Sequence, residues 1–118
     1  MQLTITSDQI FLADEPVDFR RSIDGLSVIA LEALGDNPIK DSIFVFYNKS
    51  RDKLKLLGWH RNGFVLIYKR LEKKRFTVFK STEGYVTLSS DQLSWLLAGL
   101  DWVSLSGWND TLSFSDFH

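Results

Sequence analysis

The stretch Lys49–Lys80, KSRDKLKLLGWHRNGFVLIYKRLEKKRFTVFK, decides how the rest of the chain is read. Two runs of alternating hydropathy, Leu54 to Arg61 and Phe64 to Arg70, flank Asn62-Gly63. Asn-Gly between such runs is a strong short-range hairpin signal, because both residues tolerate the positive φ of a type I′ turn. Centring the turn on that dipeptide sets a register: Arg61 opposite Phe64, Trp59 opposite Leu66, Leu57 opposite Tyr68, and Lys55 opposite Arg70. The other face then holds Leu54, Leu56, Gly58 and His60 against Leu71, Lys69, Ile67 and Val65. Apolar groups occur on both faces, so the hairpin is expected to be covered on both or to meet a partner. Lys55 opposite Arg70 is an unfavourable like-charge pair that a nearby anion would relieve.

The same stretch holds most of the positive charge. Lys49, Arg51, Lys53, Lys55, Arg61, Lys69, Arg70, Lys73, Lys74, Arg75 and Lys80 face only Asp52 and Glu72, a local balance of +9. The remainder carries three cations and thirteen carboxylates, or −10, so a formal charge of −1 hides a polarised molecule.

Outward from the hairpin, the chain alternates strand and helix signals. Leu3 to Leu12 is rich in β-formers and reads as one or two short strands. Asp18 is placed to cap a helix starting at Phe19, with Phe19, Ile23, Leu26, Ala30 and Ala33/Leu34 at helical spacing and Gly35 as its stop. Gly25 inside that pattern costs about 1 kcal/mol relative to Ala; a kink, a close contact or simple tolerance would each account for it. Ile43–Tyr47 suits a central strand buried on both faces. Past the hairpin, Lys73-Lys74-Arg75 reads as a turn, Arg75–Phe79 as a further strand, and Tyr85–Leu88 as a short one. Ser89 and Gln92 stand at capping-box spacing before a helix with Leu93, Leu96, Leu97 and Leu100 as its buried stripe, closed by Asp101-Trp102. The expected fold is α+β: an antiparallel meander of four or five strands with one helix before it and one after. Residues 1–103 form one domain, and 104–118 an irregular or partly disordered tail.

A chain of 118 residues is long enough to bury a core, and 44% apolar with 25% charged residues is ordinary for a globular domain. It has no cysteine, which excludes disulfides and thiolate metal sites. The N-terminus lacks the charged head and apolar run of a signal peptide, and no stretch approaches the roughly 20 apolar residues of a membrane span. A cytoplasmic location is expected, in which Asn48-Lys49-Ser50 and Asn109-Asp110-Thr111 are not glycosylated.

Several segments together resemble a known family. Pro16-Val17-Asp18-Phe19-Arg20-Arg21-Ser22-Ile23-Asp24-Gly25-Leu26 is similar to the D-[MF]-R-[KR]-x-x-D-G-L motif of TnpB, the small accessory protein of the insertion-sequence-66 family of bacterial transposable elements. That protein is distinct from the RNA-guided nuclease of the same name. Ile43–Tyr47, Leu54–Trp59, Asn62-Gly63-Phe64, Tyr68–Glu72, Arg75-Phe76 and Gln92–Trp102 follow in the family's order, covering about residues 9 to 102. The chain departs from the family's pattern at His60, where an acidic residue is common, and near Lys74, where a Gly is common. The resemblance implies a role in transposition beside a transposase and a second small element-encoded protein. It implies no reaction.

The residues agree that catalysis is not the theme. Two-metal chemistry needs converging carboxylates, whereas Asp18, Asp24, Asp41 and Asp101 read as caps and loop residues. His60 and His118 lack companions for zinc, and no nucleophile elbow, phosphate loop or dinucleotide fingerprint occurs. No metal or cofactor is expected. Nucleic-acid binding is the sharper expectation: a basic hairpin can follow phosphates or enter a major groove, and Trp59, Phe64 and Tyr68 interleave with its cations. The plainer account is that these aromatics are core and the cations solvate its rim. The candidate DNA-binding residues are Arg20, Arg21, Lys53, Lys55, Arg61, Lys69, Arg70, Lys73, Lys74 and Arg75. The alternative is an adaptor that docks its basic face on the transposase or another element-encoded protein without touching DNA. Self-association through a strand edge is a third route.

Overall fold

The computed structural model describes residues 9–35 and 41–107. Its elements run β1 (Gln9–Ala13), α1 (Ile23–Leu34), β2 (Ser42–Tyr47), β3 (Lys53–His60), β4 (Gly63–Arg70), β5 (Tyr85–Leu88), α2 (Ser90–Leu97) and α3 (Trp102–Leu105). The fold is α+β, as the sequence indicates. The sheet order is β4-β3-β2-β1-β5. β2, β3 and β4 form the antiparallel meander, but β1 lies between β2 and β5, parallel to β2 and antiparallel to β5. A parallel neighbour requires a crossover, and α1 supplies it.

Side-chain alternation divides the sheet into two unlike faces. One carries Phe11, Phe44, Phe46, Lys55, Leu57 and Tyr85, and the other Ile10, Leu12, Val45, Tyr47, Leu54 and Leu56. The first is an aromatic stack, with Phe44 and Phe46 rings 4.9 Å apart and Tyr85 edge-on to Phe11 at 4.9 Å. The lead-in to α1 covers it, because the Lys55 ammonium rises from this face to the carbonyls of Phe19 and Arg21. α2 sits over the aliphatic face, where Lys69 reaches the Leu97 carbonyl. One buried cluster extends from Ile10 to Val103 through both layers.

The hairpin forms with a different register. The turn residues are Arg61 and Asn62, closing on His60–Gly63, with Trp59 opposite Phe64, Lys55 opposite Tyr68 and Lys53 opposite Arg70. Arg61, with φ 57°, takes the left-handed position, and the Trp59 indole N–H donates to its carbonyl at 3.0 Å. Every partner is two residues away from the expected one, yet each side chain stays on its expected face. Lys55 now faces Tyr68 instead of Arg70, and the like-charge cross-strand pair moves to Lys53 and Arg70 at the end of the hairpin.

Three local expectations are also corrected. α1 begins at Ile23 behind Ser22, not at Phe19. Asp18 accepts from the Arg20 backbone N–H (2.9 Å) and guanidinium, so it closes a loop turn instead of a helix. Gly25 therefore lies in the first turn of α1, not in its interior, and an added Cβ would meet only the Arg21 side chain, at 3.4 Å and beyond. Arg75–Phe79 is not a strand. Phe76 is fully buried, its N–H donates to the Arg51 carbonyl (2.6 Å), and the Thr77 carbonyl accepts the Trp102 indole N–H (2.6 Å), so bonds from two directions replace a ladder.

The C-terminal helix has the predicted reciprocal cap between Ser89 and Gln92. Leu93 and Leu96 are buried on it, but Leu97 is half-buried and Leu100 exposed. The chain turns at Asp101, which caps α3, so Trp102, not Leu100, supplies the next buried side chain. α3 extends to Leu105, and Gln92 ties α2 to the residue that follows it through the Ser106 hydroxyl at 2.9 Å. The predicted strand signal before Gln9 and the tail from Trp108 lie outside the described residues.

Candidate nucleic-acid interface

The strand directions bring one set of chain turns to a single end of the sheet. β2 leaves and β3 enters there through residues 48–52, and β4 leaves there into residues 71–76. The Leu71 N–H donates to the Asp52 carbonyl at 2.8 Å and the Phe76 N–H to the Arg51 carbonyl, so the second turn is laced to the first. Asn48 makes the first turn rigid: its amide oxygen accepts from the Asp52 and Lys53 N–H groups, and its amide N–H donates to the Asp52 carboxylate. That last bond holds the Asp52 carboxyl below its ordinary pKa, keeping it ionised.

This lacing gathers Lys49, Arg51, Lys53, Arg70, Lys73, Lys74 and Arg75 around two carboxylates, Asp52 and Glu72. All but Lys53 are exposed. Arg70 donates to Glu72 at 2.8 Å, which raises the guanidinium pKa, but both side chains remain in solvent, where such a pair is weak and exchangeable. Arg51 and Lys74 take φ of 60° and 67°. A left-handed conformation costs roughly 1–2 kcal/mol for a residue with a side chain, so two cations here occupy positions that glycine would fill more easily.

The α1 lead-in brings two more cations to this end. Lys55 is 8% exposed, its ammonium bonded to the Phe19 carbonyl (2.8 Å) and the Arg21 carbonyl (3.3 Å) and lying 4.9 Å from the Phe19 ring centroid. It anchors Arg20 and Arg21 over the face that carries Lys53 and Arg70. Arg21 is exposed, and Arg20 pairs with Asp18 at 2.6 Å. The Arg20 side-chain hydrogen bonds, and then its backbone N–H, hold the Asp18 carboxyl down to about 2.

The ten residues singled out by sequence therefore fall into three groups. Lys53, Arg70, Lys73, Lys74 and Arg75 lie on or next to the two laced turns, and Arg20 and Arg21 on the α1 lead-in that Lys55 anchors. Lys55 is withdrawn from the surface as an anchor, and Lys69 spends its ammonium on the α2 C-terminus, 2.6 Å from the Leu97 carbonyl. Arg61 stands at the far tip of the hairpin. Lys49 and Arg51 join the cluster without having been singled out; the signal was their place in the same charge run. Of the aromatics, Phe64 packs edge-on against Trp59 at 5.0 Å, while Tyr68 is 51% exposed beside Lys53 and Arg70.

The chain matches the family described as IS66 Orf2 like protein over residues 8–107. It belongs to that family. Two proteins of Sinorhizobium fredii (strain NBRC 101917 / NGR234), both described as uncharacterized, are similar: y4jC, 38% identical over 95 residues (80% of this chain and 81% of that protein), and y4hO, 33% identical over 94 residues (80% and 82%). No solved structure gives a significant match. Membership in the IS66 Orf2-like family places the protein among accessory components of transposition. Among the described residues, no group of three or more His, Asp or Glu is placed to hold a metal ion, and no helix is long and apolar enough to cross a membrane.

Proposed function

We propose that this IS66 Orf2-like protein is a non-catalytic accessory of DNA transposition that binds DNA through the cationic end of its sheet. The observation that supports the reading is the lacing of residues 71–76 onto 48–52, which brings seven cations of the charge run and the carboxylates Asp52 and Glu72 onto adjoining turns. Arg20 and Arg21 lie on the neighbouring α1 lead-in beside Asp18, and Asp14 and Glu15 lie near Tyr47. Phosphate contacts supply most of the affinity for such a surface, and Tyr68 offers a ring for base or sugar contact. In the cell the protein acts beside the element's transposase and a second small element-encoded protein, in the cytoplasm.

The test is fluorescence anisotropy with a labelled duplex across a salt series. Engaging about five phosphates gives a log–log slope of about −4 to −5. The triple variant Lys73→Glu, Lys74→Glu, Arg75→Glu is expected to abolish the signal without unfolding, since all three side chains are exposed. Undetectable or salt-independent binding refutes the reading. In that event, a stable complex with the transposase in nuclease-treated extract identifies a protein adaptor instead.

A further inference from the structure

The sheet has two edges, and they are guarded unequally. β5 is four residues long, a short edge that gives another strand little purchase. β4 is eight residues long, and no strand lies beyond it. Because the hairpin closes on His60–Gly63, the residues exchanging mutual hydrogen bonds with β3 are Gly63, Val65, Ile67 and Lys69. Leu71 continues this phase with its N–H on the Asp52 carbonyl. The N–H and C=O groups of Phe64, Leu66, Tyr68 and Arg70 therefore point away from the sheet. Among the described residues, no backbone bond fills them.

Long edges are usually blunted by lysine, proline or a bulge. From Gly63 to Tyr68 this one reads GFVLIY, uncharged and without proline, and its pairing with β3 is continuous. Lys69 does not guard it, because its ammonium is tied to the C-terminus of α2. Val65 and Tyr68 stand 44% and 51% exposed on opposite faces of the strand. The edge is thus apolar along its middle and cationic at both ends, with Arg61 at one and Arg70, Lys53 and Lys73–Arg75 at the other.

That charge pattern selects the occupant. A second copy paired antiparallel would bring each Arg61 toward the other's cationic end, and a parallel one would set Arg70 beside Arg70. Both orientations oppose like charges. We propose that the free edge of β4 takes up an extended segment of a partner protein, β-branched at its centre and acidic at both ends, as an added strand. Backbone bonds to Phe64, Leu66 and Tyr68 supply the affinity and the flanking cations the choice of partner. This inference does not rest on the DNA reading, although Lys53, Arg70 and Lys73–Arg75 belong to both surfaces.

The test uses the whole chain and a decapeptide with Glu-Glu at each end of three Thr-Val repeats, followed by amide hydrogen exchange. Binding is expected to slow exchange at Phe64, Leu66 and Tyr68 by at least about tenfold while leaving Val65 and Ile67, already bonded to β3, unchanged. Leu66→Pro removes an outward N–H without breaking the β3 ladder and should weaken the peptide at least about tenfold. Should that variant fail to fold, Val65→Glu, on an exposed side chain, introduces repulsion and should weaken it comparably. Failure of the peptide to bind overturns the proposal, as does binding without protection of those three amides. Protection that grows with protein concentration alone would reassign the edge to a second copy, and the same protection from an oligonucleotide would reassign it to nucleic acid.

Discussion

Replacing Lys55 by methionine separates the cations that build the fold from those offered to a ligand. The substitution keeps the apolar stem but removes an ammonium bonded at 2.8 Å and 3.3 Å to two carbonyls and set over the Phe19 ring. Hydrogen bonds to charged groups contribute about 1.5–3 kcal/mol each, and unpaired carbonyls left in a part-buried site add a further penalty. The longer bond counts for less, and the variant no longer desolvates a charge, which offsets part of the loss. The expected cost is about 3 kcal/mol, or roughly 10 °C in Tm for a domain of this size. Lys73→Met, at an exposed position, should change stability by less than about 0.5 kcal/mol. Thermal unfolding and DNA titrations across a salt series, run on both variants well below Tm, give opposite patterns. Lys55→Met loses Tm and keeps its salt slope, whereas Lys73→Met keeps Tm and loses about one unit of slope. A Lys55→Met protein as stable as the parent, or one whose slope falls by a full unit, refutes the assignment of Lys55 as an internal anchor.

Two further substitutions probe strain and burial. The Tyr47 hydroxyl is buried without a partner among the described residues, and burial, with Asp14 and Glu15 nearby, pushes its pKa up to about 12. Its neutral form is favoured in the fold, so its contribution is intact below the ordinary value near 10 and is lost as pH rises from about 10 to 12. Tyr47→Phe should match or exceed the parent by up to about 1 kcal/mol at neutral pH and lack this part of the alkaline fall in Tm; a less stable variant would show that the hydroxyl is satisfied. Lys74→Gly, at φ 67°, should raise stability by up to about 1 kcal/mol while weakening DNA binding. A variant that loses stability would show that the Lys74 side chain supports the turn.

The hairpin shows how much of the fold a sequence can carry. Hydropathy alternates with a period of two, so sliding one strand by two residues leaves every side chain on its face. Core membership was therefore legible, whereas the partners depended on which two residues turn. Asn62-Gly63 argued for itself by intrinsic preference, and the Trp59 bond to the Arg61 carbonyl stabilises a different choice. The place of β1 was hidden for another reason: β-propensity reports that a segment is extended, not which neighbour it joins. Phe76 reads as strand because a buried aromatic in an apolar run is indistinguishable from a pinned loop until Arg51 and Trp102 are seen beside it. At the interface, the charge run was visible in the sequence, but its division was not. Lys55 and Lys73 look alike in one dimension, and only the Phe19 and Arg21 carbonyls make the first an anchor.

The insertion of β1 between β2 and β5 also bears on how the chain assembles as it is made. β3 and β4 meet across two residues, whereas Ala13 meets Tyr85 across most of the polypeptide. Closing the longer loop costs on the order of 3 kcal/mol more chain entropy. The meander can thus form early, while β1 keeps one flank open until the Tyr85–Leu88 segment arrives. During that interval the apolar residues Ile10 and Leu12, both buried in the finished sheet, depend on β2 alone. Non-local pairing of this kind slows folding. A strand flanked on both sides in the finished sheet is thus the last to be enclosed.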